Sequence, residues 1–132
     1  MIGLDTNVLV RILVDDDVHQ NQRARALLEQ QRPEARYFVG AVVLAETEWL
    51  LRNKLGYSAQ TVRNLIQTML ETIQLVVEYE PELLDWLNAE NSSKVQLSDY
   101  LISWSHRNLG CSHTLTFDKK AAATIPSLEL LS

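Results

Sequence analysis

One cysteine, Cys111, is all the thiol in this 132-residue chain, which excludes an internal disulfide and a cysteine-built zinc framework. Cys111 and His113 have no companions at metal-ligand spacing, and His19 and His106 stand apart, so zinc is not expected. Cys111 follows Leu109-Gly110, where a buried structural thiol before a strand is predicted. No apolar run reaches the roughly 18 residues of a membrane span. The apolar start is too short, and lacks the basic flank, for a signal peptide, so a cytoplasmic protein with no membrane partner is expected. There is no glycine-rich loop, which removes a dinucleotide-binding Rossmann domain. A basic surplus is also missing: 12 Lys and Arg against 17 Asp and Glu leave a net charge of −5. That balance argues against gripping nucleic acid by phosphate neutralisation alone. It suits a cluster of carboxylates whose charge is offset only by divalent cations. Repeats, low-complexity tracts and linkers are lacking too, so residues 1–132 are expected to form one domain.

What the chain does have is a 46% hydrophobic content, enough for a core, and a regular alternation of short apolar runs with helical patterns. Strands are predicted near residues 2, 37, 75, 115 and 129. Helices are predicted after Asp5-Thr6-Asn7, over Gln20 to Gln31 before Pro33, over Ala41 to Leu55, and over Ala59 to Glu71 behind a Ser58 cap. Others start at Pro81 and near Leu97-Ser98-Asp99, the latter with Ser98 as cap and Leu101, Ile102, Trp104 and Leu109 as core candidates, and a short one follows Asp118. Asn91 to Ser93 read as a loop exit. The alternation predicts an α/β fold: a single three-layer domain with a mostly parallel sheet of about five strands flanked by helices. Right-handed crossovers then bring every strand-to-helix junction to one sheet edge, where ligands bind in open α/β sheets.

Acidic residues recur at those junctions. Asp5 ends the first strand and Asp118 repeats its setting after the fourth; each is also in the ordinary position of a helix N-cap. Asp99 falls in the first turn of its helix, where it complements the helix dipole. On a helical wheel Glu46 lies between Val42, Val43, Trp49 and Leu50, a carboxylate inside an apolar stripe, which must find a distant cation such as Arg11 or Arg36, a proton or a metal. Glu48, by contrast, has Arg52 four residues on and reads as a surface ion pair. Asp15-Asp16-Asp17 reads as a solvated loop, and His106 as a surface or packing residue.

Acids gathered at one edge repel one another unless they are protonated or hold cations, and hard oxygen ligands select Mg²⁺ or Mn²⁺. Such a set suits metal-assisted phosphodiester hydrolysis. The segments that carry these acids, MIGLDTNVLVR, VVLAETEWLL, LSDYLI and TLTFDKKAA, resemble the four acidic motifs of PIN-domain ribonucleases, and in particular the VapC-like toxins of toxin–antitoxin modules. The resemblance runs over essentially the whole chain, and DTN and TFDKKA are its most specific pieces. It implies that Asp5, Glu46, Asp99 and Asp118 are catalytic, metal-binding acids, with Thr6, Asn7 and Thr116 as polar supports. It further implies a metal-dependent endoribonuclease, an RNA substrate, an antitoxin partner and a homodimer. The chain departs from many relatives at Gln96, where they carry a further acid; a neutral carbonyl there weakens the case for a second ion. Arg11, Arg52, Lys54, Arg107, Lys119 and Lys120 are candidates for RNA phosphates. The competing reading, raised by Gln96 and the net charge, is a catalytically silent PIN-like domain that binds RNA or protein. A haloacid-dehalogenase-like phosphatase needs an acid where Asn7 stands.

Overall fold

The computed structural model describes residues 1–14, 18–29, 34–90 and 92–131. The acidic run at 15–17, the helix stop before Pro33 and the exit at Asn91 lie outside them. The chain divides into two compact units, Met1–Glu80 and Pro81–Ser132.

In the first unit, strand β1 (Ile2–Gly3) leads into α1 (Thr6–Leu13) and α2 (Val18–Glu29), β2 (Tyr37–Val39) into α3 (Ala41–Trp49) and α4 (Ala59–Glu71), and β3 (Leu75–Val77) closes the unit. The three strands pair in parallel in the order β1-β2-β3, with Ile2 opposite Tyr37 and Tyr37 opposite Leu75. Parallel pairing sets the chain exits after all three strands at the same end of the sheet. Leu9, Val39, Leu44, Leu51, Val62 and Met69 are among its buried side chains. Helix α4 forms over the range the sequence predicts because its cap is local: the Ser58 hydroxyl accepts the Thr61 N–H at 3.1 Å.

Helix α3 runs on into a π-helical turn, Leu50–Lys54, and its orientation corrects the sequence reading. Glu46 is exposed rather than core-facing, and its wheel neighbours Val42 and Trp49 are 71% and 53% exposed. The buried face carries Leu44, Thr47, Glu48 and, in the π turn, Leu51. The reason is that apolar residues surround α3 on every side, so the wheel has no polar face to orient it. Glu48 is therefore only 4% exposed, and the expected pair with Arg52, at 3.6 Å, serves a buried carboxylate instead of a surface one.

The second unit holds α5 (Glu80–Asn88), a 3₁₀ turn at Ser92–Lys94, α6 (Leu97–Asn108), β4 (Thr114–Thr116), α7 (Lys119–Thr124) and β5 (Leu128–Leu130). Strands β4 and β5 pair in parallel, Leu115 opposite Glu129. Val95, Ala121, Ile125 and Leu128 form a buried cluster, with Tyr100 packed against it. On α6 Leu101 and Trp104 are buried as expected, but Ile102 is exposed and Leu109 is 85% exposed. Leu109 caps the helix, and a Schellman reversal follows: the Gly110 N–H donates to the Arg107 carbonyl and the Cys111 N–H to that of His106, with Gly110 at φ +95°. Cys111 therefore sits in an outer turn and is exposed, contrary to the buried thiol expected from sequence. His106 is exposed and tied through Nδ1 to Thr114 Oγ1 at 2.8 Å.

Among the described residues five strands stand where the sequence alternation predicts them and every pairing is parallel, and the α/β class is the one expected. They are hydrogen-bonded as a set of three and a set of two rather than as one ladder. No helix among the described residues is long and apolar enough to cross a membrane.

Candidate functional site

In the first unit two of the four acids follow parallel neighbours. Asp5 caps α1: its Oδ1 accepts the Val8 N–H at 3.1 Å, leaving Oδ2 outside the capping bond. Thr6 opens the helix, and Asn7 beside it is exposed. Glu46 stands in the second turn of α3, on its exposed side.

The start of α3 depends on a residue that sequence reading passed over. Its N-cap, Gly40, has no side chain to offer, and a Cβ there would stand 3.2 Å from the Phe38 ring. Glu78, just past β3, supplies the missing acceptor: its backbone N–H donates to Val39, and its Oε1 accepts the Ala41 N–H at 2.7 Å. The signal was present as a helix start without Ser, Thr, Asp or Asn, which must draw a partner from elsewhere. Tyr79, next in the chain, takes the left-handed conformation with φ 60°.

In the second unit Asp118 repeats the geometry of Asp5, as its sequence setting predicts. Its Oδ1 accepts the Ala121 N–H at 2.9 Å, and its own N–H donates to Thr116 Oγ1 at 3.0 Å, so Thr116 fixes the cap that carries the carboxylate. Asp99 lies in the first turn of α6 and is half-buried. Burial, and after it the negative charge of Asp118, hold the Asp99 carboxyl above the ordinary aspartate range. The structure thus brings Asp99 and Asp118 into one electrostatic neighbourhood. The cap of α6 is Gln96, not Ser98, and its side chain makes no capping bond; the Ser98 hydroxyl donates to Gln96 Oε1 at 3.3 Å. Lys119 and Lys120 are exposed in the first turn of α7.

Among the described residues, no group of three or more His, Cys, Asp or Glu side chains is gathered closely enough to hold a metal ion. What the second unit offers is a half-buried Asp99 carboxyl whose ionisation is disfavoured by burial first and by the nearby negative charge of Asp118 second. All-oxygen donors of that kind fit a hard divalent cation such as Mg²⁺ or Mn²⁺, which would remove the repulsion. The capping bonds of Asp5 and Asp118 are compatible with such a role, since each uses only one carboxylate oxygen. Cap and ligand are not alternatives here.

The family model for the PIN domain matches residues 2–125. No curated protein and no solved structure gives a match. PIN domains have a nuclease-type fold, are typically metal-dependent nucleases that use divalent ions, and point to RNA as a ligand. A match over nearly the whole length, on an α/β chain with acids at its strand ends, establishes that this protein belongs to the PIN-domain family.

Proposed function

We propose that this PIN domain is a Mg²⁺- or Mn²⁺-dependent endoribonuclease, the toxin of a toxin–antitoxin pair, with Asp5, Glu46, Asp99 and Asp118 as its metal-binding acids. The observation that carries the reading is the Asp99–Asp118 pair, in which a half-buried carboxyl resists ionisation beside a second carboxylate. Carboxylates set together at a cost in stability are characteristic of functional sites. When bound, a divalent ion supplies Lewis acidity at the phosphate and a more acidic attacking water. The chain's own residues hold the donor atoms still: α1 fixes the Asp5 carboxylate by its Val8 N–H, α7 fixes Asp118 by its Ala121 N–H, and Thr116 anchors the Asp118 backbone. Glu78 holds the start of α3, the helix that carries Glu46. Arg11, Lys119 and Lys120 are the proposed contacts to RNA phosphates, which an acidic chain needs in order to approach RNA. The exposed Val42 and Trp49 on α3 support a protein partner, an antitoxin or a second copy of the chain, because large apolar side chains left in water mark interaction sites.

The test is RNA cleavage by the purified chain, freed of any co-purified protein, with Mg²⁺, Mn²⁺ or EDTA. Cleavage that needs the metal and falls at least about a hundredfold in Asp5→Asn and Asp118→Asn supports the reading. A second reading, a silent PIN domain that binds without cutting, is favoured by Gln96, a neutral side chain whose carbonyl oxygen accepts the Ser98 hydroxyl. RNA binding with no cleavage under any metal would select it.

A further inference from the structure

A cleft of about 330 Å³ opens beside Asp5, within the first unit, between one face of α1 and one face of α2. Asn7, Val8 and Arg11 line it from α1, and Arg23, Ala24 and Leu27 from α2. Its chemistry is divided. Two guanidinium groups and the Asn7 carboxamide supply donors, while Ala24, buried, and Val8 and Leu27, half-buried, supply an apolar wall. The volume is at the low end of the roughly 300–1,000 Å³ range of ligand pockets, room for one nucleotide rather than for a helix or a duplex.

We propose that this cleft is a nucleotide subsite for single-stranded RNA, next to Asp5: Arg23 and Arg11 take a phosphate of the strand, and the base lies against Val8 and Leu27. The inference rests on the ribonuclease reading for its substrate class, but not for its evidence, which is the cleft itself. Planar guanidiniums are suited to a phosphate, which each can bind bidentately, and two of them line this cleft. An apolar wall accepts the face of an unstacked base, which a base-paired strand does not offer. The arrangement also answers a difficulty of charge. A chain of net charge −5 must concentrate its cations where the backbone passes, and here two arginines share a cleft with an acid of the proposed site. Arg23 is exposed at the cleft, so replacing it leaves the packing of the helix intact.

The experiment is fluorescence anisotropy of a labelled single-stranded RNA hexanucleotide, titrated in EDTA so that metal-dependent cleavage does not run, over a range of salt. Arg23→Ala is expected to weaken binding by about tenfold and to lower the slope of log affinity against log salt by about 0.7, the loss of one single-strand phosphate contact. Arg23→Lys is expected to restore the slope, since the charge returns, while recovering only part of the affinity. An unchanged affinity and slope in Arg23→Ala, or no binding of the hexanucleotide by the wild-type chain, overturns the proposal; a peptide occupant predicts the first of these. The failure of the ribonuclease reading looks different. If the wild-type chain cuts no RNA with any metal yet Arg23-dependent binding persists, the subsite stands and the catalytic reading falls. If cleavage is metal-dependent but indifferent to Arg23, the reverse holds.

Discussion

Ionising Asp99 carries a cost, set first by its burial and then by the negative charge of Asp118, and the sign of that cost can be measured. A raised carboxyl pKa means the folded chain keeps the Asp99 proton to higher pH than the unfolded chain does. Its contribution to stability is fully present below the ordinary aspartate pKa and is lost as pH rises through the raised value. Asp99→Asn is therefore expected to raise the melting temperature by about 1–3 °C near neutral pH in EDTA, with the advantage growing as the pH is raised from acid toward neutral. Thermal melts of both proteins across that range check it, and a variant less stable at neutral pH would contradict it. Glu48 is the opposite case, a buried carboxylate that Arg52 helps to compensate. Arg52→Ala is expected to destabilise by about 1–3 kcal/mol in urea unfolding, and a further Glu48→Gln change to recover part of the loss, because a buried charge is then removed.

Helix starts carry most of the candidate site, and they were unequally legible in the sequence. Ser58, Asp5 and Asp118 lie directly before their helices, so local chemistry announced them and the structure finds each one capping as expected. The cap of α3 was invisible because Glu78 reaches Ala41 from 37 positions away. Wheel position failed on α3 for a related reason: a helix apolar on all sides is oriented by what packs on it, and Glu46 and Glu48 exchanged their expected surroundings. On α6 the end of the helix was read correctly at Gly110, but the reversal it makes turned Cys111 outward. Glu78→Ala is expected to cost about 1–2 kcal/mol of stability and to weaken divalent-ion affinity through a less fixed α3, whereas Glu78→Gln, which keeps a carbonyl acceptor, loses less of both. Denaturant curves and ion titrations on the two variants separate these outcomes.

The whole chain is acidic, and under the proposed ribonuclease reading the metal is part of its affinity for RNA. Each divalent ion held by the proposed acids would add two positive charges where the phosphates would arrive. RNA affinity is accordingly expected to rise several-fold when Mg²⁺ replaces EDTA, and to show no such rise in Asp118→Asn; equal affinity in the two conditions would separate RNA binding from the acids altogether. The α/β class and the positions of all five strands could be read from alternating apolar runs, since strand and helix periodicities differ. The division into sets of three and two could not, because the strand runs are only two or three residues long and carry no pairing signal. The most direct measurement of the central claim is calorimetric titration of Mn²⁺ into the metal-free chain, beside Asp5→Asn and Asp99→Asn. Saturable binding is expected in the wild-type chain, weakened at least about tenfold in both variants. Binding equally tight in all three, or none in the wild type, would return these acids to the helix caps and first-turn positions in which they stand.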